Sequence, residues 1–493
     1  MKPAKIDLAS ARCLCFTRFS GDGNLSAAVP PYGQTASACE QERKPEDTDR
    51  ATARFFFILA IVAVVIDELW IRLWWHEGWP NSFAITSLVA SIAGLILLSR
   101  RIEAYPAVLP YLPEPSILSF AGVFFAFLAF YAVTCSLEAT GFNEPVRQAY
   151  AYLHGRAWVD PVPGFMEHIT WQGHDYVVHP PLSGIVLMPA VAIWGMATNQ
   201  TAICVALGAV EVALAWRLLG LLGLKTAPRI WLTIFFGAGT TLWYEATIGN
   251  SWDFVLVVSV LPTLLALNEL FGKVRPWLLG ILTGAAFLAR NDLALAVPCY
   301  ALILLYQGRR FSEVLWMIPG LAAAAGFYVL LAEARYGTIF DRTLWIYYLT
   351  DPIHSHEHGP LSYFYIPSNL YVLFFIGPSM DSRFPFIHPT LMGQSLGLTS
   401  PAFVLALRPS FRRPIPMLIA LATALASIPS LMWYAGGFAQ FGTRYYLQIY
   451  PFLLVLMALG MKRRTDQISK ILIVASVALV SFGYWQIRGL GIG

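Results

Sequence analysis

Charge is what this sequence has least of. Asp, Glu, Lys and Arg make up 13% of its 493 residues, against roughly 25% in an average soluble domain. A water-exposed globular enzyme is thereby excluded. Cysteine is sparse too, six in all. Cys13, Cys15 and Cys39 lie near the N-terminus, and their spacing has no histidine nearby to complete a four-ligand zinc site. Cys135, Cys204 and Cys299 fall in apolar runs, where cysteine behaves as a small hydrophobe. No disulfide framework is implied. The formal net charge is only +4, and no basic patch interleaved with aromatics is present, which excludes nucleic acid as a partner. Internal repeats of the kind that mark secondary transporters are missing. The first stretch lacks the basic start and apolar run of a secretory signal. Its Gly, Ser, Pro, Gln and mixed charges predict a disordered cytoplasmic tail over 1–53.

What is abundant is apolar. Hydrophobic residues make up 57% of the chain, and the mean hydropathy is +0.59. Runs long enough to cross a bilayer core of roughly 30 Å recur along it. The sequence therefore predicts an all-α polytopic membrane protein of about thirteen transmembrane helices: 54–75, 82–99, 116–137, 200–223, 229–248, 250–271, 275–290, 292–306, 312–334, 393–408, 414–434, 444–460 and 469–486. The first two form an extra N-terminal pair within 54–115. A core follows over 116–460 and a final helix within 461–493. The apolar stretch 181–197 reads as a juxtamembrane or re-entrant helix, because charge then sorts correctly. With the N-terminus inside, Arg100 and Arg101, Lys225 and Arg229, Lys273 and Arg275, Arg309 and Arg310, Arg412 and Arg413, and Lys462 to Arg464 all face the cytoplasm. All nine histidines and both long polar segments, 138–199 and 335–392, then fall on the outer side.

The richest polar segment is Gly141 to Leu182. It holds Glu144, Asp160, Glu167 and Asp175, together with Arg147, Arg156 and His154, His168, His174 and His179. Polar loops this long between spans are uncommon and usually functional. Glu144, Arg147, Ala151 and His154 share one face if the stretch is helical. Pro145 suits the first turn of that helix, and Asn143 suits its cap. Glu144 is placed to accept a proton from an attacking hydroxyl, or simply to cap the helix and pair with Arg147. Val177-Val178-His179-Pro180-Pro181-Leu182 forces an extended entry into the next helix. His179 is then held at the membrane edge, either to meet a phosphate or as a wetted helix-start residue.

The order of these features resembles the integral-membrane type C (GT-C) glycosyltransferases. The protein O-mannosyltransferases and the lipid A aminoarabinose transferases are the nearest likeness. Asn143-Glu144 stands where those families have Asp-Glu after the first core helix. His179-Pro180-Pro181-Leu182 matches their His-Pro-Pro-Leu. Gly280 to Pro298 resembles their Gly-rich helix ending in a basic residue, here Arg290. Gly442-Thr443-Arg444-Tyr445-Tyr446 resembles their late basic-Tyr motif. The likeness covers about 116 to 460. Asn143 and Val177 depart from the usual Asp.

The resemblance implies a donor sugar on a polyprenyl phosphate. It would be presented at the outer face of a bacterial plasma membrane and transferred, with inversion, to a glycan, lipid or protein hydroxyl. That chemistry needs a base, for which Glu144, Asp160 and Asp175 are the candidates. It also needs cations for the leaving phosphate, for which Arg147, His179, Arg290 and Arg444 are the candidates. Asn143, Tyr176, Asp253 and Asp292 are expected to contact substrate. Arg444 has snorkelling as its ordinary alternative. No metal is required, although the run His354-Ser355-His356-Glu357-His358 carries donors that suit a divalent cation.

Glu245 with Asn250 and Asp253, and Asn291 with Asp292, lie at outer helix ends. Trp243, Tyr244, Trp252, Tyr347, Tyr348, Tyr363 and Tyr365 suit sugar stacking or the interfacial aromatic belt. Glu211 and Arg217 are the clearest charges inside a span and are expected to pair. The rival readings are a transporter or lipid flippase, with its substrate at the membrane midplane, and an inactive relative of the transferases.

Overall fold

The computed structural model describes residues 116–489, apart from 160, 352–356, 381, 383–385, 389, 391, 438–439 and 462–464. The expected tail 1–53, the pair of spans within 54–115, Asp160, His354, His356 and Lys462 to Arg464 lie outside the described residues. The rest is mostly helix, and the protein is an all-α membrane protein. Six helices among the described residues are long and apolar enough to cross a bilayer: Ile117–Thr134, Gln200–Leu221, Ser251–Leu270, Phe311–Tyr336, Pro414–Met432 and Gln467–Ile487.

The other expected spans in this region are shorter or broken. The run 229–248 divides into Thr226–Ala238 and Leu242–Ile248. The run 275–290 is the 14-residue helix Pro276–Ala289. The runs 292–306 and 444–460 each open with a 3-10 turn, Asn291–Ala296 and Arg444–Ile449, before Val297–Tyr306 and Tyr450–Gly460. The run 393–408 is Leu396–Thr399 followed by a 3-10 stretch, Pro401–Leu407. Proline explains several of these restarts, because it is accepted in a helix's first turn but removes a backbone donor further in. The stretch 181–197 is the 14-residue helix Pro181–Trp194 and a short 3-10 turn.

Ser251–Leu270 is the axis of the assembly, with 89% of its apolar window buried. Ile117–Thr134 and Phe311–Tyr336 are peripheral, with 11% and 17% buried. Phe311–Tyr336 is held by small residues. A Cβ on Gly280 would stand 2.2 Å from the Met317 carbonyl oxygen, and one on Gly320 would stand 2.4 Å from the Ile281 nitrogen. Glycine at both positions lets two backbones touch, the usual device where no hydrophobic drive separates helix from lipid.

The helices give the assembly two unlike ends. At one end, Gln307 donates to the Leu270 carbonyl at 3.1 Å, Arg217 donates to Asn268 at 2.9 Å and Arg408 pairs with Asp466 at 3.0 Å. Lys225, Lys273, Arg309, Arg310, Arg412 and Arg413 belong to turns at this end. Arg217 does not meet Glu211 as expected. Among the described residues neither Glu211 oxygen has a hydrogen-bond partner.

The opposite end carries the polar segments. Helix α1 (Glu144–Leu153) begins with Pro145 in its first turn, as expected. It leads to a hairpin of β1 (His168–Trp171) and β2 (His174–Val177), which pair antiparallel with Ile169 opposite Tyr176. Gln172 and Gly173 both have positive φ, 50° and 83°, the signature of a tight hairpin turn. The hairpin departs from the all-helical expectation. A second layer of short elements follows Tyr336: α2 (Thr343–Thr350), α3 (Ile366–Phe374) and the two-residue strands β3 (Ser379–Met380) and β4 (Ile387–His388).

Candidate active site at the polar end

Glu144 starts α1 with its side chain turned inward and wholly buried. One carboxylate oxygen accepts the Glu167 backbone N–H at 3.1 Å, and the other is hydrogen-bonded to the Ser251 hydroxyl. Ser251 also accepts the Glu144 N–H at 3.0 Å and approaches the Phe142 carbonyl at 2.7 Å. Glu144 thus clamps three pieces of chain: the start of α1, the segment entering the hairpin and the first turn of the axial helix. Arg147 does not pair with it, contrary to expectation. Arg147 donates to Asn143 Oδ1 at 3.3 Å and to the Pro161 carbonyl at 3.1 Å. Asn143 makes no side-chain cap for α1, because its amide oxygen is used by Arg147.

Glu167, half-buried, hangs from the Glu144 clamp by its own backbone and presents its carboxylate to the Tyr347 hydroxyl, which donates at 3.0 Å. His179 lies within electrostatic reach of Glu144, Glu167 and Arg444. Burial pulls its imidazole below the ordinary value, Arg444 adds to this, and the two carboxylates oppose it. Its Nε2 is buried with no hydrogen-bond partner among the described residues, while its carbonyl accepts from Gln148 at 3.2 Å.

Arg444 is 8% exposed, so it is not a snorkelling side chain. It sits over the Tyr445 ring at 5.4 Å, and its Nε has no hydrogen-bond partner among the described residues. Glu245 and Asp253, both buried, turn their carboxyl groups toward each other and toward Arg444. The two carboxyl groups are within hydrogen-bonding reach of each other, and among the described residues no other donor reaches either of them.

A neighbouring cluster is built on Arg290, the residue at which Pro276–Ala289 ends in extended conformation. Its guanidinium pairs with Asp292 at 3.1 Å and donates to Ser430 at 3.3 Å. Gln448 donates to the same Asp292 oxygen at 3.1 Å, and Ser430 reaches the Tyr445 carbonyl at 3.3 Å. Arg290 and Asp292 therefore complete each other. The short turn Arg444–Ile449 connects them to Arg444.

Asp175 and Tyr176 fall elsewhere. Asp175 accepts the Thr170 hydroxyl at 2.8 Å and lies 4.0 Å from His168, so it serves the hairpin. Tyr176 is buried on the opposite face of β2, its ring 5.8 Å from Tyr336, and acts as core. Among the described residues no group of three or more His, Cys, Asp or Glu is arranged for a metal ion. His358 stands 4.0 Å from Glu357.

Of the site's residues, Ser251 carried no expectation from the sequence, Glu167 and Glu245 were named without a role, and Tyr347 was expected to stack on sugar or join the interfacial belt. Glu167 and Glu245 were visible as acidic residues at outer positions. The contact between Glu167 and Tyr347 joins residues 180 apart in the chain and had no local signal. Comparison with known proteins finds no family model, no curated protein and no solved structure that matches this chain.

Proposed function

We propose that this chain is a membrane glycosyltransferase of the type C class. It moves a sugar from a polyprenyl-phosphate donor to a glycan, lipid or protein hydroxyl at the outer face of a bacterial plasma membrane. One observation carries the reading. The first-loop carboxylates Glu144 and Glu167, His179 of the His-Pro-Pro-Leu motif and Arg444 of the late motif share one neighbourhood. That neighbourhood is at the end of the helices opposite the basic turns. These motifs are far apart in sequence and carry the family likeness. Six helices among the described residues are long and apolar enough to cross the membrane, and in this reading the shorter and broken apolar stretches are further crossings.

In this reading Glu167 is the base, since Glu144 is wholly buried and both its oxygens are engaged. Glu167 takes the proton of the acceptor hydroxyl. The hydroxyl oxygen forms the new bond to the anomeric carbon as the bond from that carbon to the phosphate oxygen breaks. The lipid phosphate leaves with the electron pair, held by Arg444 and by an N–H of His179. Asp292 and Gln448 keep Arg290 at the edge of the same region. The test is transfer of a radiolabelled sugar from a synthetic polyprenyl-phosphate donor by the purified protein in nanodiscs, with envelope glycans, lipids and glycoproteins as acceptors. Absence of both transfer and donor hydrolysis across the common donor sugars refutes it.

A second reading has its own support. Glu245 and Asp253 are buried side by side beside a break at Gly249-Asn250, with no donor but each other among the described residues, and such groups on interrupted helices suit ion- or proton-coupled transport. Substrate-driven proton movement in proteoliposomes, without sugar transfer, would favour a transporter.

A further inference from the structure

We infer that α3 and the strand of chain leading into it lie flat in the headgroup layer of the bilayer, at the level where the span Pro414–Met432 ends, and form a lipid-contacting rim beside the polar cluster. The inference rests on the membrane character of the chain, and not on the proposed chemistry.

Residues 359–380 contain no charged side chain. They form no span either, because their only α-helix is the nine-residue α3. On α3, Asn369, Val372 and Leu373 face inward and are buried. Tyr371, Phe374 and Phe375, at the same three- and four-residue spacing, face outward and are each more than half exposed. Tyr363 and Phe364 continue the exposed row. The helix is therefore apolar on both faces, and only the inner one is covered by protein. Trp345 and Leu349 of α2 are more than half exposed as well. An exposed aromatic row of this kind marks a contact with another protein or a membrane.

Its depth is fixed by hydrogen bonds. The Asn369 amide donates to the Leu431 carbonyl at 2.9 Å and the Trp433 carbonyl at 2.7 Å, groups freed where the spanning helix stops. The Ser362 N–H donates to Met432 O at 2.8 Å, and the Tyr434 N–H donates to Pro360 O at 3.2 Å. The segment is stitched to the last turn of a span, which is where the hydrocarbon core gives way to headgroups. A Tyr- and Phe-rich, uncharged surface at that level is the composition of the membrane interface. The occupant is the lipid surface, the upper acyl chains with their glycerol and phosphate.

The test is photocrosslinking in phospholipid nanodiscs, with p-benzoylphenylalanine in place of Phe374 in one variant and Tyr371 in another. The exposed hairpin-turn position Gln172 is the control. Phospholipid adducts identified by mass spectrometry at 374 and 371, at least five-fold above those at 172, are expected. Equal adduct yields at all three positions, or adducts only to a second protein chain, would overturn the inference. If the Phe374 variant does not fold, the Tyr371 variant decides alone. Lipid adducts with no sugar transfer would leave the rim standing and the transferase reading rejected.

Discussion

Replacing Glu144 separates two roles that the sequence offered for one residue. In Glu144→Ala the Glu167 N–H and the Ser251 hydroxyl each lose a charged acceptor in a buried setting, and hydrogen bonds to charged groups contribute about 1.5–3 kcal/mol each. Ser251 has a second acceptor, the Phe142 carbonyl at 2.7 Å, so most of its share is recovered. The Glu167 N–H has no such substitute, and the missing side chain leaves a void. The expected loss is about 2–4 kcal/mol. Glu144→Gln keeps an oxygen for the Glu167 N–H. Its amide N–H can donate to Ser251, which then donates to Phe142, so the network survives with one bond reversed, at less than about 1 kcal/mol. Unfolding in mixed micelles by SDS titration, followed by circular dichroism, measures both. Turnover completes the test. With Glu167 as base, Glu144→Gln retains activity within about ten-fold, well short of the two to four orders of magnitude expected when a base is removed. Full stability of Glu144→Ala combined with an inactive Glu144→Gln would refute the clamp and return the base to Glu144.

Three further outcomes follow from the same cluster. Glu167→Gln leaves donor affinity within about two-fold but lowers turnover by roughly two to four orders of magnitude; full turnover, with loss in Asp160→Asn or Asp175→Asn instead, moves the base to that residue. Arg444→Ala weakens binding of a polyprenyl-phosphate sugar by at least about ten-fold, and Arg444→Lys restores part of it without the planar fork, as titration in nanodiscs reads directly; unchanged affinity in the Ala variant removes Arg444 from the phosphate site. His179 is held below its unfolded value by burial, so the unfolded chain takes up its proton first as pH falls. Its stabilising share is fully present above about pH 6.5 and is lost as pH falls through the lower folded value. Between pH 7 and pH 5 the parent should lose more stability than His179→Gln, and identical pH profiles would contradict the assignment.

The sequence carried the membrane character, the long helices and the start of α1 at Pro145, because hydropathy and proline act locally. It also singled out Glu144, His179 and Arg444, which lie far apart in the chain; the fold brings the first and last of these within electrostatic reach of His179. What it hid has identifiable causes. A hydropathy window cannot distinguish a continuous span from a 3-10 turn followed by a short helix, which is why 292–306 and 444–460 read as unbroken. The hairpin was legible in principle, since Gln172-Gly173 sits between His168-Ile-Thr-Trp171 and His174-Asp-Tyr-Val177. Its histidines and acids drew attention to chemistry instead of alternation. Tyr176, expected to contact substrate, is buried in the core instead, because the strand period sends it inward and Asp175 to the other face. Glu167 escaped because its importance lies in Tyr347, which another layer of the chain supplies.

The glycine seam between Pro276–Ala289 and Phe311–Tyr336 has a mechanical consequence. The second helix is a mast stayed along one side only. Most of its length is uncovered by protein, and its close attachment is the backbone contact at Gly280 and Gly320. From its far tip hang Tyr336, which packs on the hairpin, and Tyr347, which grips Glu167. A methyl group inserted at Gly280 must push the foot of the mast outward. The tilt is multiplied along the helix before it reaches Tyr347. The seam therefore bears on the spacing between the hairpin and α2 from the end of the bundle farthest from them, while α3 takes its position from the end of Pro414–Met432.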